Sequence, residues 1–198
     1  MAISYPVAFP TINGQSIISK MSMRLVHSVA VQESPFTYSQ QVQDFGGRRW
    51  EAEITIRPLT HSEAVTFQGF LASLKGRKNT FTVGNPLSTS TKTDANVQLG
   101  ANESANSTSI VVDIDSGKSI VAGEMFSINN RLHMFLEPAT AGTTTVEIAP
   151  SLRQIGSSGT DLVTNQPVGL WRLASNEIEW DINNSSIYSF TFACVEAI

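Results

Sequence analysis

Alternation of apolar and polar side chains predicts two long strands in the first third of the chain. Between residues 48 and 58, four apolar residues alternate with polar ones, which is the period of a half-buried strand. These residues are Trp50, Ala52, Ile54 and Ile56. The segment 17–31 alternates in the same way. Asp44, Phe45, Gly46 and Gly47 lie between the two segments and predict a turn, because glycine adopts positive φ without strain.

One helix is predicted between residues 62 and 75. Five apolar residues recur there at helical spacing and form a stripe that can lie on a sheet; they are Ala64, Phe67, Phe70, Leu71 and Leu74. Thr60 and Glu63 have the spacing of a capping box, in which the Glu63 side chain bonds back to the Thr60 amide. Gly76 stands where a C-terminal cap residue is expected.

Short β-like runs dominate the remainder of the chain. Strands are predicted at residues 80–83, 109–114, 125–128, 132–136, 143–148, 170–173, 177–182 and 187–195. Turns are predicted at residues 84–86, 129–130 and 183–184 from Gly, Pro and Asn. Residues 87–109 and 150–167 are rich in small polar side chains and separate the groups of strands.

The order of these elements predicts a mainly β protein with one interruption. The N-terminal strands lack enough partners for a closed sheet, and the C-terminal strands would supply them. We therefore expect one domain built from residues 1–87 and 167–198, and an inserted small β-barrel from residues 88–166.

Composition excludes several classes of function. The chain has 198 residues and a formal net charge of −4, which argues against binding nucleic acid through phosphate neutralisation. Cys194 is the single cysteine, so neither an intrachain disulfide nor a cysteine-based metal site can form. Neither a signal-peptide pattern nor a stretch of about 18 apolar residues occurs, which predicts a soluble protein without membrane insertion.

Motifs for catalysis are missing from the sequence. The three histidines, at positions 27, 61 and 133, do not have metal-ligand spacing. Lys118 lacks the glycine five positions earlier that a phosphate-binding loop needs, and Gly117 to Ser119 looks like part of a turn. Glu51 with Glu53, and Glu177 with Glu179, could share strand faces, which suits acid–base chemistry and a solvent-facing strand alike. We predict no catalytic residue, no metal site and no cofactor, and therefore not an enzyme.

The tryptophans allow a second interpretation, a sugar-binding surface. Flat aromatic rings suit pyranose rings, and the chain has Trp50, Trp171 and Trp180. Trp50 and Trp180 fall on the same strand faces as apolar neighbours, however, which favours a role in the core.

Four segments together resemble a known family. Residues 34–60 and 74–84, which flank the predicted helix, look like the N-terminal half of distal tail and related minor tail proteins of long-tailed bacteriophages. Residues 123–135 and 146–153 resemble the small barrel that many phage tail proteins carry, with Glu124 where aspartate is usual.

The resemblance implies a structural role. Its fold is a split β-sandwich related to the tail-tube subunit, interrupted by a small OB-like barrel. The protein would form a ring of six subunits at the tail tip, joining the tail-tube protein to the baseplate hub or tail-fibre proteins. DNA would only pass through the channel, which an acidic balance suits. The protein would be made in the host cytoplasm and end up in the virion.

Mixed charges beside apolar stripes suggest where subunits would meet. We predict intersubunit contacts along strand 48–57, helix 62–75 and loop 77–79. The residues are Arg48, Arg49, Glu51, Glu53, Arg57, Arg77, Lys78 and Asn79. Two alternatives stay open: a module whose barrel, residues 88–166, binds a carbohydrate or receptor, and another tail-tube-like component such as a tube or terminator subunit.

Overall fold

The computed structural model describes residues 3–84, 97–182 and 187–198. Within these ranges the chain forms one helix and sixteen strands, most of them short. The helix α1 is His61–Leu74. The strands are β1 Val7–Ala8, β2 Thr11–Ile12, β3 Gln15–Ser16, β4 Ile18–Glu33, β5 Gln40–Ile56, β6 Phe81–Gly84, β7 Val97–Leu99, β8 Ser109–Ile120, β9 Met125–Ile128, β10 Arg131–Phe135, β11 Ala139–Ala149, β12 Asp161–Leu162, β13 Val168–Leu173, β14 Asp181–Ile182, β15 Tyr188–Ser189 and β16 Thr191–Glu196. The predicted mainly β class is confirmed.

The first sheet has six strands in the order β1-β6-β13-β16-β5-β4. Only one of its faces is apolar. Alternate residues of β5, from Trp50 to Ile56, are buried, while the residues between them are more exposed. The paired residues of β16 and β13 continue the buried face with Cys194 and Trp171. This alternation is the reason why the sequence period predicted the strand correctly.

Helix α1 covers part of the apolar face. Its five stripe residues are all buried, and Phe67 packs edge-on against Phe190 with ring centroids 4.9 Å apart. The Thr60 amide donates to Glu63 Oε2 at 2.9 Å, as the capping-box spacing predicted. Lys75 is the C-cap residue, with φ 54°, and Gly76 follows it at the predicted C′ position with φ 64°. The predicted helix is therefore confirmed to within one residue at each end.

The second sheet closes on itself as a small barrel. Its order is β12-β7-β8-β11-β10-β9, and an antiparallel bridge between Ser127 and Val163 joins the two edges. Both amides of this bridge donate across it at 2.9 Å. Asn129 and Asn130 have φ of 51° and 60° between β9 and β10, which confirms the predicted two-residue hairpin turn. Phe126, Phe135 and other apolar side chains fill the interior.

The barrel strands β7 to β12 come from one stretch of sequence between β6 and β13. These two strands are themselves paired, with Gly84 opposite Val168, so the chain leaves and re-enters the first sheet at adjacent points. The division at residues 87/88 and 166/167 stays a prediction, since residues 85–96 lie outside the described ranges. The predicted turns at 84–86 and 183–184 also fall wholly or partly outside them.

The predicted turn at residues 44–47 is wrong. β5 begins at Gln40 and continues through Gly46 and Gly47, where the register with β4 shifts between His27 and Val29. The two glycines therefore form a bulge, with Gly46 at φ 71°. The true turn spans residues 34–39 and closes with the Ser34 amide donating to the Ser39 carbonyl at 3.0 Å.

Two other local predictions are also wrong. Residues 117–119, expected to be part of a turn, belong to β8, which continues to Ile120, and Gly117 accommodates the local irregularity with φ 76°. Residues 177–180 are not a strand, and Trp180 is 42% exposed instead of lying in the core. Trp50 and Trp171 are buried at 4% and 1% exposure.

Replacing Gly84 should destabilise the protein. A Cβ at this position would lie far inside van der Waals contact with the Pro167 carbonyl oxygen, a backbone atom that cannot swing away. We expect Gly84→Ala to cost about 1–3 kcal/mol in urea unfolding. Gly69→Ala is the matched control: it lies in α1 with open space around it, and should stabilise by about 0.5–1 kcal/mol. Equal effects of the two changes would contradict this account of Gly84.

Candidate assembly surface

The outer part of the β4–β5 hairpin projects from the body of the protein. We call residues 28–47 the arm. Every residue of the arm except Ser34 is exposed, on both faces of the hairpin. Five strand pairs, from Val29–Asp44 to Glu33–Gln40, extend it by about 17 Å, at about 3.4 Å per residue.

The arm carries an unusual number of exposed apolar side chains. Val31 and Val42 are directly paired and are 57% and 61% exposed. The full set is Val29, Val31, Phe36, Tyr38, Val42 and Phe45. A two-stranded ribbon has little stability alone in water, and clustered apolar exposure of this kind marks an interaction surface.

The tip of the arm is a defined turn. The Tyr38 amide donates to the Ser34 carbonyl at 2.9 Å, and the Ser34 hydroxyl accepts from the amides of Phe36 and Thr37 at 3.4 Å. Tyr38 has φ 55°, a left-handed conformation that is costly for an aromatic residue. These bonds hold Phe36 outward, where 90% of its surface is exposed.

The arm also begins at the free edge of the first sheet. β4 is the last strand in the sheet order, and within the described part of the chain nothing pairs with its outer side. The opposite edge, β1, is only two residues long. A long edge strand offers unpaired backbone groups to another chain.

Four of the predicted contact residues lie on β5, in the part of the strand that follows the arm. Arg49 and Glu51 belong to an ion-pair group on the polar face of the sheet, in which Glu51 accepts from Arg24 at 2.6 Å and from Arg49 at 2.7 Å. The hydrogen bond from Arg24 lowers the pKa of Glu51 most, and the hydrogen bond from Arg49 lowers it further. Glu53 is exposed two residues further along, and Arg48 lies at the base of the arm, 3.7 Å from Asp44.

The other four predicted residues lie elsewhere. Arg57 pairs with Glu63 at 2.8 Å beside the start of α1, and this pairing lowers the pKa of Glu63 to about 2. Arg77, Lys78 and Asn79 follow the other end of the helix, where the Arg77 amide donates to Asn176. A helix of 14 residues is about 21 Å long, so the eight residues form two or more separate groups. Their role in assembly stays a prediction.

A buried polar junction fastens the barrel to the first sheet. Arg153, which follows β11, pairs with Glu196 of β16 at 2.8 Å, and their side chains are 9% and 3% exposed. Glu196 also accepts from the Trp50 amide at 3.0 Å, while Arg153 donates to the Arg48 carbonyl. The Trp50 indole donates to the Leu132 carbonyl at 2.9 Å. The junction therefore links the barrel to the base of the arm.

His133 is completely buried beside this junction. Its Nδ1–H donates to the Pro150 carbonyl at 3.0 Å, and Nε2 finds no hydrogen-bond partner among the described residues. Burial lowers the pKa of the imidazole to about 4, and the positive charges of Arg153 and Arg131 act in the same direction. His133 lies in β10, which confirms its predicted place in a strand.

The described residues contain no group of three or more His, Cys, Asp or Glu side chains arranged to hold a metal ion. Among the same residues, no helix has the length and apolarity to cross a membrane. Burial raises the pKa of the Cys194 thiol to about 12, so this cysteine is a packing residue with little thiolate at neutral pH.

Comparisons add no family assignment. Neither protein-family models nor curated proteins give a match to this chain.

Sequence reasoning missed the arm as a surface. The alternation of residues 17–31 was visible, but Gly46 and Gly47 were interpreted as the turn, which hid the outer pairs from Val29–Asp44 to Glu33–Gln40. The available signal was the polar and proline break at Glu33, Ser34 and Pro35, which ends the alternation of the preceding strand. The Arg153–Glu196 pair had no sequence signal, because the two residues are 43 positions apart and Arg153 lies in the segment that follows β11, whereas Glu196 is on β16 of the first sheet.

Breaking the junction should strongly lower the free energy of unfolding. We expect Glu196→Gln to destabilise the protein by about 3–5 kcal/mol, since it leaves the buried Arg153 guanidinium without a countercharge. Glu51→Gln is the matched control, because Glu51 also pairs with arginine but with partners that are 76% and 52% exposed, and it should cost less than about 1 kcal/mol. Urea unfolding measures both. Similar losses in the two variants would refute the structural role of the junction.

His133 should make the fold sensitive to mild acid. The unfolded chain binds a proton near pH 6.5 and the folded chain only near pH 4, so stability is full above pH 6.5 and falls as the pH drops toward 4. We expect a loss of about 2 kcal/mol between pH 7 and pH 5. His133→Asn, which can still donate to Pro150, should lose this dependence, whereas His27→Gln, at an exposed position, should keep it. Parallel pH profiles for wild type and His133→Asn would contradict the assignment.

Proposed function

We propose that this protein is a structural subunit of the tail tip of a long-tailed bacteriophage. In this proposal six copies form a ring that joins the tail-tube protein to the baseplate hub or tail-fibre proteins. The ring lies in the virion, lines the channel through which DNA passes, and performs no catalysis.

The observation that carries the proposal is the exposed apolar arm. A soluble monomer gains nothing from a hairpin that leaves six large apolar side chains in water. An assembly subunit does gain, because a neighbour can cover the same side chains at about 25 cal/mol per Å² of apolar surface. The free edge of β4 supports the same interpretation, since it can extend a sheet from one subunit to the next.

The remaining features are compatible with a ring that surrounds DNA. The net charge of −4 gives little attraction for phosphates, so DNA could slide through without being held. The buried Arg153–Glu196 junction would keep the barrel at a fixed orientation on each subunit, which a barrel on the outside of a symmetric ring requires. The resemblance of four sequence segments to phage tail proteins supports the proposed identity of the assembly.

The test is the mass and shape of the purified protein over a range of concentrations. We expect a ring of six subunits with a central hole by negative-stain microscopy and sedimentation. Val31→Thr with Val42→Thr should weaken assembly at least tenfold, because threonine keeps strand propensity while removing apolar surface. Val121→Thr, which is 56% exposed but lies outside the arm, is the control and should assemble normally.

Two results would overturn the proposal. One is a wild-type chain that stays monomeric at all concentrations and binds neither a tail-tube protein nor a hub protein. The other is an assembly that the two arm substitutions leave unchanged, since the arm would then have no part in it.

A further inference from the structure

We propose that the arm tip of one copy inserts Phe36 into a depression on the polar face of the first sheet of the next copy. This inference rests on the proposed function, because it names the partner surface of the same arm. It specifies a contact between two different patches of the chain.

The depression lies across β4, β5, β16 and the end of β13. Its volume is 170 Å³, and its lining includes Ser22, Arg24, Glu51, Glu53, Ala174 and Ala193. Ala174 and Ala193 add little bulk to this lining because their side chains end at Cβ. Arg24 and Glu51, also in the lining, form an ion pair at 2.6 Å.

The size of the depression fits one aromatic ring. A cavity of about 150 Å³ is known to be large enough for benzene in proteins. Among the described residues, Phe36 is the most exposed large apolar side chain, at 90%, and the hydrogen-bonded turn at residues 34–39 holds it outward. Insertion would cost little conformational entropy because the tip is already ordered.

The charges of the two surfaces are complementary. The strand register places four cationic residues, Lys20, Arg24, Arg49 and Arg172, and two carboxylates, Glu51 and Glu53, on the polar face. That leaves a net charge of +2 on this face of an acidic protein. Arg24, Glu51 and Glu53 line the depression itself, and the other three cations lie around it on the same face. The arm has two charged residues, Glu33 and Asp44, and both are acidic. Opposite charges on the two surfaces would steer the arm to the face and help to set its orientation.

The depression and the tip of one copy cannot meet. Arg24 and Ser34 are separated by ten residues of the same hairpin, about 33 Å of extended chain that does not fold back. The contact must therefore join two copies. Because the two patches differ, each copy offers one of each to its neighbours, which is the head-to-tail arrangement that closes into rings.

Complementation between two variants tests the contact. Phe36→Ser removes the inserted side chain, and Ala193→Trp fills the depression at an exposed strand position that tolerates an aromatic residue. Thr144→Trp, at an exposed position on the barrel strand β11, is the control for added bulk. Circular dichroism and urea unfolding of each full-length variant establish that it is folded.

We expect each variant alone to assemble at least tenfold more weakly than wild type, and Thr144→Trp to assemble normally. Mixed in equal amounts, the two variants should form a complex of one copy of each. The intact arm of the Ala193→Trp chain can enter the intact depression of the Phe36→Ser chain. The filled depression of the first chain and the altered arm of the second cannot bind a further copy, so the complex stops at two chains. Sedimentation of differently labelled chains measures this complex.

The outcomes separate this inference from the proposed function. If the wild-type protein forms a ring and the Ala193→Trp variant assembles normally, the depression is not the binding site, but the proposed ring is retained. Two weak variants that do not associate when mixed also overturn the contact. A wild-type chain that never assembles removes the ring and the contact together.

Discussion

The pairing of β4 with β5 along one continuous hairpin is the constraint on which the structure depends. Its inner half belongs to the first sheet, where Trp50, Ile54 and Ile56 lie under the helix and the barrel. Its outer half continues into water as the arm. The same ribbon is therefore an anchored core element at one end and an unpartnered surface at the other. Rigidity at the base allows the tip to be presented at a defined position.

A second constraint is the orientation of the barrel on the first sheet, because each of the two sheets has its own apolar core. Hydrophobic contact alone does not fix their relative orientation strongly, since apolar surfaces slide with little directional preference. The Arg153–Glu196 pair and the Trp50–Leu132 hydrogen bond are directional and buried. They explain why Glu196, two residues from the C-terminal end of the described chain, is buried although it is charged. Burial lowers the pKa of His133 beside them, so we expect this region to be the acid-sensitive part of the fold.

Sequence alone predicted the features that depend on local periodicity. The helix cap at Thr60 and Glu63, the alternation of residues 50–56 and the Asn129–Asn130 turn all follow from interactions between near neighbours. Gly46 and Gly47 were misassigned because a β-bulge and a hairpin turn both use positive φ at glycine. Trp180 was wrongly placed in the core because residues 177–182 alternate like a strand, although residues 177–180 do not form one. Which sheet edge is free, and which buried charges pair, depends on distant partners that no local pattern encodes.

Amide hydrogen exchange of the arm, followed as the protein is concentrated, tests the central claim most directly. If residues 28–47 are the assembly surface, their amides should exchange quickly in the dilute protein and become protected in step with the appearance of the ring. Amides in α1 should be protected at both concentrations, because that helix is packed in the core of each subunit. A ring that forms while the arm amides exchange as quickly as before would contradict the account.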